Sequence, residues 1–175
     1  MSSSDSTGYL QSDVEVGADT PHDQQRNPVP DQLSEAAASW RALTPLIAGR
    51  PVVRESPNGG RAYPIRGQRA LTERLPNVPA AVPVYSAAGD THVLVLDLDT
   101  SKGDRATVLR DAAAVTALIR RAGGRLISDE SPSGGVHLYI PLAQAVPFDE
   151  ARDVTLALAS RTPTLDPQPM LGSTG

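Results

Sequence analysis

The 175-residue chain contains no cysteine. That excludes disulfides and any cysteine-held metal centre within it, and it agrees with a reducing cytoplasm. No apolar stretch approaches twenty residues, and no short apolar core follows a basic start, so neither a membrane span nor a secretion signal is indicated. Lysine is nearly missing: Lys102 stands alone against 15 arginines. With abundant alanine, this bias suggests GC-rich coding, compatible with a bacterial, phage or plasmid origin. No internal repeat is evident. A hydrophobic content of 39% at this length supports one core and not two large ones.

The net charge of −4 is unevenly spread. Residues 1–31 hold six acids and one base, net −5, leaving 14 acids and 15 bases for the remainder, net +1. Residues 1–30 are rich in Ser, Asp, Gln and Pro and poor in large apolar groups, so a disordered acidic tail is expected there and a folded domain over 31–175. Residues 41–74 carry Arg41, Arg50, Arg54, Arg61, Arg66, Arg69 and Arg74 against only Glu55 and Glu73. This block could contact nucleic-acid phosphates or be an ordinary solvated surface.

Residues 91–96 read as a central strand buried on both faces. Residues 34–47 place Ala36, Ala37, Trp40, Leu43 and Ile47 at helical spacing, with Gly49 as a stop and Trp40 as a core anchor. Residues 56–60 mark a turn, with Tyr63 and Ile65 on the returning arm of a hairpin. A helix is expected over 105–122, with a broad apolar face of Val108, Leu109, Ala112, Val115, Ala117, Leu118 and Ile119, ended by Gly123 and Gly124. A strand follows at 136–140 and another helix at 148–161. From Val93 to Ile140 the order strand, helix, strand, strand predicts an α/β chain in which the end of the first strand lies near the glycine-rich hairpin at 131–137.

Asp97 and Asp99 stand at the end of the first strand. Two residues apart, they project to the same side. Like charges that close need a cation, a shared proton or a base-like role, and hard divalent ions such as Mg2+ or Mn2+ prefer oxygen ligands. A solvated acidic turn is the simpler alternative. Ser133, Gly134 and Gly135 form a turn just before His137, which shares a strand face with Tyr139. Bare glycines let backbone N–H groups approach an anion, and the imidazole can donate to a phosphate oxygen or carry a proton. A structural histidine beside a glycine-rich hairpin is the alternative.

These residues resemble the archaeo-eukaryotic primase superfamily, and within it the bifunctional DNA primase/polymerase domains of bacteria, phages and plasmids. The likeness runs from about Leu75 to the end of the chain. Asp97-Leu98-Asp99 is similar to the first family motif and Gly135-Val136-His137 to the second, small residue-x-His. The segment around Leu165, Asp166 and Pro167 is similar to the third. The resemblance implies a two-layer α/β (α+β) fold with an RRM-like sheet core and helices packed on it. It further implies two metal ions, Mg2+ or Mn2+, held by Asp97, Asp99 and Asp166. Ser133, Gly134, Gly135 and His137 would contact the triphosphate of an incoming NTP or dNTP opposite a DNA template. A replicative helicase or a further C-terminal domain would be a partner. Gly135 stands where the family usually has serine. Relatives usually continue into a basic, Gly-Pro-rich stretch, so the catalytic domain is expected to be incomplete at its C-terminal end. The polymerase domains of bacterial end-joining ligases carry a similar Asp-Leu-Asp and a Ser-Gly…His pattern, with a lysine near the histidine that is absent here.

Two other classes remain open. The strand ending in Asp97-Leu98-Asp99 also resembles the Asp-x-Asp-x-Thr motif of haloacid-dehalogenase-like phosphatases, with Asp97 as nucleophile and Asp99 as acid and base. Those enzymes need a downstream lysine and a later acidic pair, whereas Lys102 lies only three residues after Asp99. The third class is a non-catalytic nucleotide- or nucleic-acid-binding module on the same fold.

Overall fold

The structure, a computed structural model, describes residues 30–172. The expected acidic tail lies outside the described residues except for Pro30, which already belongs to the first helix. Helix α1 (Pro30–Ile47) leads into a small antiparallel sheet of β1 (Val52–Glu55), β2 (Arg69–Ala70) and β3 (Ala80–Ala81), in the order β2-β1-β3. The principal sheet is also antiparallel, in the order β5-β6-β4-β7. Its strands are β4 (Asp90–Leu98), β5 (Ile127–Glu130), β6 (Val136–Pro147) and β7 (Leu165–Asp166). Helices α2 (Arg105–Arg121) and α3 (Phe148–Ala159) connect them, and α4 (Gln168–Leu171) follows β7. The chain is a mixed α/β fold of two antiparallel sheets with packed helices.

Alternation explains the two faces of the principal sheet. Leu94, Leu96 and Leu98 of β4 and Val136, Leu138 and Ile140 of β6 are buried on one side, together with Val108, Ala112 and Val115 of α2 and Ala151 of α3. Each fully buried leucine contributes about 1.5–3 kcal/mol by leaving water. The other face is buried at its start, at Thr91 and Val93, and half covered further on, where Val95 and Asp97 are half-buried. The strand is therefore central and buried on both faces at Val93 and Leu94, while from Val95 to Asp97 its second face is the floor of an open groove.

Helix α2 begins where Asp104 accepts the Thr107 N–H at 2.7 Å, an N-cap that satisfies one of the open donors of the first turn. Its buried stripe is narrower than expected, since Leu109 and Leu118 are exposed. Trp40 is not a core anchor either. It is half-buried on the groove wall and donates its indole N–H to the Thr72 carbonyl at 3.0 Å. Tyr63 and Ile65 lie exposed outside any strand, and β1 pairs with residues 69–70 and 80–81 instead. The turn at 56–60 folds on itself, with Gly60 N–H donating to Ser56 Oγ and Ala62 N–H to Asn58 Oδ1, so it opens a loop and not a hairpin. Gly49 does more than stop α1. A Cβ there would collide with the backbone of Val84, Tyr85 and Ser86, and the Gly49 N–H donates to the Pro83 carbonyl at 2.7 Å. This close crossing holds α1 against the segment leading into β4.

Beyond Leu98 and Asp97, β7 gives way to α4. The Val95 N–H, left without a strand partner on that side, donates to Met170 Sδ at 3.4 Å, and Met170 is fully buried. The Tyr85 hydroxyl donates to the Met170 carbonyl at 2.9 Å.

Candidate functional site

The register of the principal sheet lines up four titratable side chains. Asp97 on β4 lies opposite His137 on β6 and, on its other side, opposite Asp166 on β7. His137 in turn lies opposite Asp129 on β5. The row Asp129, His137, Asp97, Asp166 therefore crosses all four strands, with Asp99 one step past the end of β4. Asp97, Asp99, His137 and Asp166, singled out from sequence, are brought to one end of one sheet.

Asp97 is half-buried, and burial pushes its carboxyl above the usual carboxylate range; Asp99 and Asp166 add like-charge repulsion, while His137 and Lys102 pull back. His137 Nε2 is 3.6 Å from Asp97 Oδ1, and its Nδ1 is 2.7 Å from Asp129 Oδ1. The hydrogen bond to Asp129 raises the imidazole above its ordinary value, burial opposes this, and Asp97 and Asp99 add to it. The Tyr139 hydroxyl donates to Asp129 Oδ2 at 3.4 Å. Burial, more than the neighbouring Asp129, raises the Tyr139 phenol, which stays neutral at any physiological pH.

Asp99 and Asp166 each have a local partner. Asp99 Oδ1 accepts the Ser101 N–H at 2.8 Å, closing the turn after β4. Asp166 Oδ1 accepts the Gln168 N–H at 3.2 Å and the Lys102 ammonium at 3.1 Å. The short β7 is placed from outside the sheet. Asp111 of α2 accepts both the N–H and the hydroxyl of the fully buried Thr164, at 3.2 and 2.8 Å, and Thr164 O accepts the Asp99 N–H at 2.9 Å.

The turn before His137 is tightly built. Gly134 N–H donates to the Ser131 carbonyl at 2.9 Å and Gly135 N–H to Ser131 Oγ at 3.0 Å. Ser131 and Ser133 share a hydroxyl hydrogen bond of 2.8 Å, and Thr100 Oγ1 donates to the Ser133 carbonyl at 3.3 Å. Both glycine N–H groups are thus engaged within the turn. A Cβ at Gly135 would sit 2.9 Å from the Leu98 carbonyl oxygen, so glycine stands here because β4 passes too closely for a side chain.

The donors suit a hard divalent cation: all are carboxylate oxygens, and a cation would relieve the repulsion and burial that Asp97 carries. As they stand, no three histidine or carboxylate side chains among the described residues are gathered tightly enough to enclose an ion, and Lys102 stands against Asp166. Beside the row opens a groove of about 650 Å³, within the range of small-molecule sites. Trp40, Leu43 and Ile47 form one wall, Ala80 to Val84 another, and Val95, Asp97, Asp129, His137 and Tyr139 the floor.

Asp129 and Asp111 were not anticipated from the sequence. A signal for Asp129 exists: a turn centred on residues 131–135 pairs positions 129 and 137 across the hairpin. Asp111 carries no such signal, because its partner lies 53 residues away.

Neither a protein-family model nor a curated protein sequence matches the chain. Among solved structures, the chain is similar to the polymerase domain of Ligase D from Mycobacterium tuberculosis in complex with DNA, at 19% identity and a TM-score of 0.46; the match covers 74% of this chain and 62% of that one.

Proposed function

We propose that the chain is a template-dependent nucleotidyltransferase of the primase-polymerase kind, adding NTP or dNTP units opposite a DNA template. The observation that carries this reading is the placement of Asp97 between His137 and Asp166 in one cross-strand row, with Asp99 adjacent. Asp97, Asp99 and Asp166 would hold Mg2+ or Mn2+. When bound, such ions supply Lewis acidity that favours the alkoxide of a primer 3′-hydroxyl and neutralises charge on the phosphates.

The chain's own residues do the rest. His137, carrying both ring protons, donates its Nε2–H to the triphosphate, and with the Ser133 hydroxyl it stabilises the departing pyrophosphate; Gly134 and Gly135, whose N–H groups are spent within the turn, shape the approach to it. The 3′-oxygen bonds to the α-phosphorus as the bond to the pyrophosphate oxygen breaks. Were Asp166 to hold an ion, Lys102, now 3.1 Å from its Oδ1, would be released to pair with the phosphates. The groove beside the row takes the base and sugar. Arg41, Arg61, Arg66 and Arg74 are exposed on α1 and around the small sheet and would be open to template phosphates.

The test is extension of a labelled primer-template with Mg2+ or Mn2+, offering NTPs and dNTPs separately, with Asp97→Asn and Asp99→Asn beside the wild type. Template-directed products that vanish in both variants support the reading. A folded wild type that binds nucleotide and makes no product instead favours a binding module.

A further inference from the structure

We propose that Asp129 is a positioning residue for His137, holding the imidazole by its Nδ1–H so that the Nε2 edge faces Asp97 and the groove. The register sets this up. Asp129 and His137 are direct cross-strand partners on β5 and β6, and their side chains leave the sheet on the same face. The contact is short, 2.7 Å between Nδ1 and Oδ1, while Nε2 lies 3.6 Å from Asp97 Oδ1.

Which nitrogen carries the hydrogen follows from the partner. An ionised carboxylate only accepts, so the ring must donate from Nδ1. In a histidine the hydrogen bond made at one nitrogen decides what the other presents. Anchored by Nδ1–H, the ring meets a bound phosphate as a donor at Nε2 when it carries both protons; without Asp129 it is free to turn over, and the Nε2–H edge is no longer held toward the phosphate.

Asp129 is itself restrained. Its second oxygen accepts the Tyr139 hydroxyl at 3.4 Å, and Tyr139 is His137's neighbour two residues along β6. The three groups form a chain, Tyr139 to Asp129 to His137, that ends at Asp97. The adjacent acid cannot substitute: Glu130 lies opposite Val136, on the other face, and pairs with Arg105 at 2.7 Å. The pairing of Asp129 with His137 stands on geometry alone, while its consequence for nucleotide rests on the proposed function.

The chain has three histidines, His22, His92 and His137, so ring protons are readily assigned by comparison with a His137→Gln variant. The experiment is a proton NMR search for a downfield, solvent-protected Nδ1–H in the wild type, Asp129→Ala, Asp129→Asn and the control Glu130→Gln. It is joined by calorimetric titration of each protein with dATP and Mn2+. The Asp129 side chain is 43% exposed, so its truncation leaves no core cavity, and circular dichroism checks each fold.

The ring proton is expected in the wild type, Glu130→Gln and Asp129→Asn, whose carboxamide oxygen still accepts, and absent in Asp129→Ala. Affinity for dATP should fall on the order of tenfold in Asp129→Ala, the low end of what loss of a histidine's outer partner costs at metal sites, and recover in Asp129→Asn. A protected Nδ1–H that survives in Asp129→Ala, or its loss with unchanged dATP affinity, overturns the proposal. A wild type that binds no dATP refutes the nucleotide reading alone, and the ring-proton comparison then decides the Asp129 assignment.

Discussion

Gly135 offers the sharpest test of how the site is built. Adding one methyl group there, Gly135→Ala, puts a carbon 2.9 Å from the Leu98 carbonyl oxygen and 3.0 Å from Ser131 Oγ. Neither neighbour can simply move away. The Leu98 carbonyl belongs to β4 directly opposite Val136 in the β4–β6 ladder, and the Ser131 hydroxyl accepts the Gly135 N–H while sharing a hydrogen bond with Ser133. Relief therefore requires a shift of β6 at the residue that leads into His137. Overpacking of this kind costs about 1–3 kcal/mol, which for a folded region of this size lowers the melting temperature by roughly 3–10 °C. Gly135→Ser carries the same Cβ and should lose at least as much, although serine is the residue that the primase-polymerase resemblance places here. Thermal melts by circular dichroism would measure both, with the exposed Ser133→Ala as control, expected within about 0.5 kcal/mol of the wild type. If Gly135→Ala melts with the wild type, the turn relaxes freely, and the argument that β4 excludes a side chain at this position is wrong.

Other consequences can be measured in the same way. Leu96 is fully buried at the centre of β4, and Leu96→Ala should cost about 2–5 kcal/mol in a denaturant titration. Asp111→Ala leaves the buried N–H and hydroxyl of Thr164 without their acceptor and should cost about 1–3 kcal/mol; amide exchange at residues 164–166 should rise with it, and unchanged protection there would show that β7 does not depend on α2. The Asp104 carboxyl is held below its ordinary value, chiefly by its hydrogen bond to Thr107. Its folded pKa being the lower one, its contribution is fully present above about pH 4 and is lost as pH falls through the folded value. The stability advantage of the wild type over Asp104→Asn, followed by thermal melts from pH 7 to pH 2, should therefore shrink only at the acid end; an advantage independent of pH would discount the charge.

The long elements were legible because their periods are long enough to read. The apolar run ending at Leu98, the spacing of Val108, Ala112 and Val115, and the alternation from Val136 to Ile140 each fix an element and one of its faces. Their order in the chain brings His137 beside Asp97. The two-residue strands β2, β3 and β7 show no period at all, since pairing with a longer neighbour is what makes them strands. Asp166 came from resemblance to a motif, and its place in the fold depends on Asp111 and Thr164, a contact that no local pattern announces. Leu109, Leu118 and Trp40 were assigned to the interior because they are apolar, but α2 and α1 cover the sheet with narrower stripes than their sequences offer. Asp129 was hidden by its position at the shoulder of a turn, although hairpin symmetry pairs it with His137.

Binding of Mn2+ in the presence of dATP, followed by electron paramagnetic resonance in the wild type and in Asp97→Asn, Asp99→Asn and Asp166→Asn, tests the central claim most directly. If Asp97, Asp99 and Asp166 form one cation and nucleotide site, the wild type binds saturably and each substitution weakens binding. Wild-type affinity in Asp97→Asn, or in Asp166→Asn, would contradict the claim and return that carboxylate to a structural role.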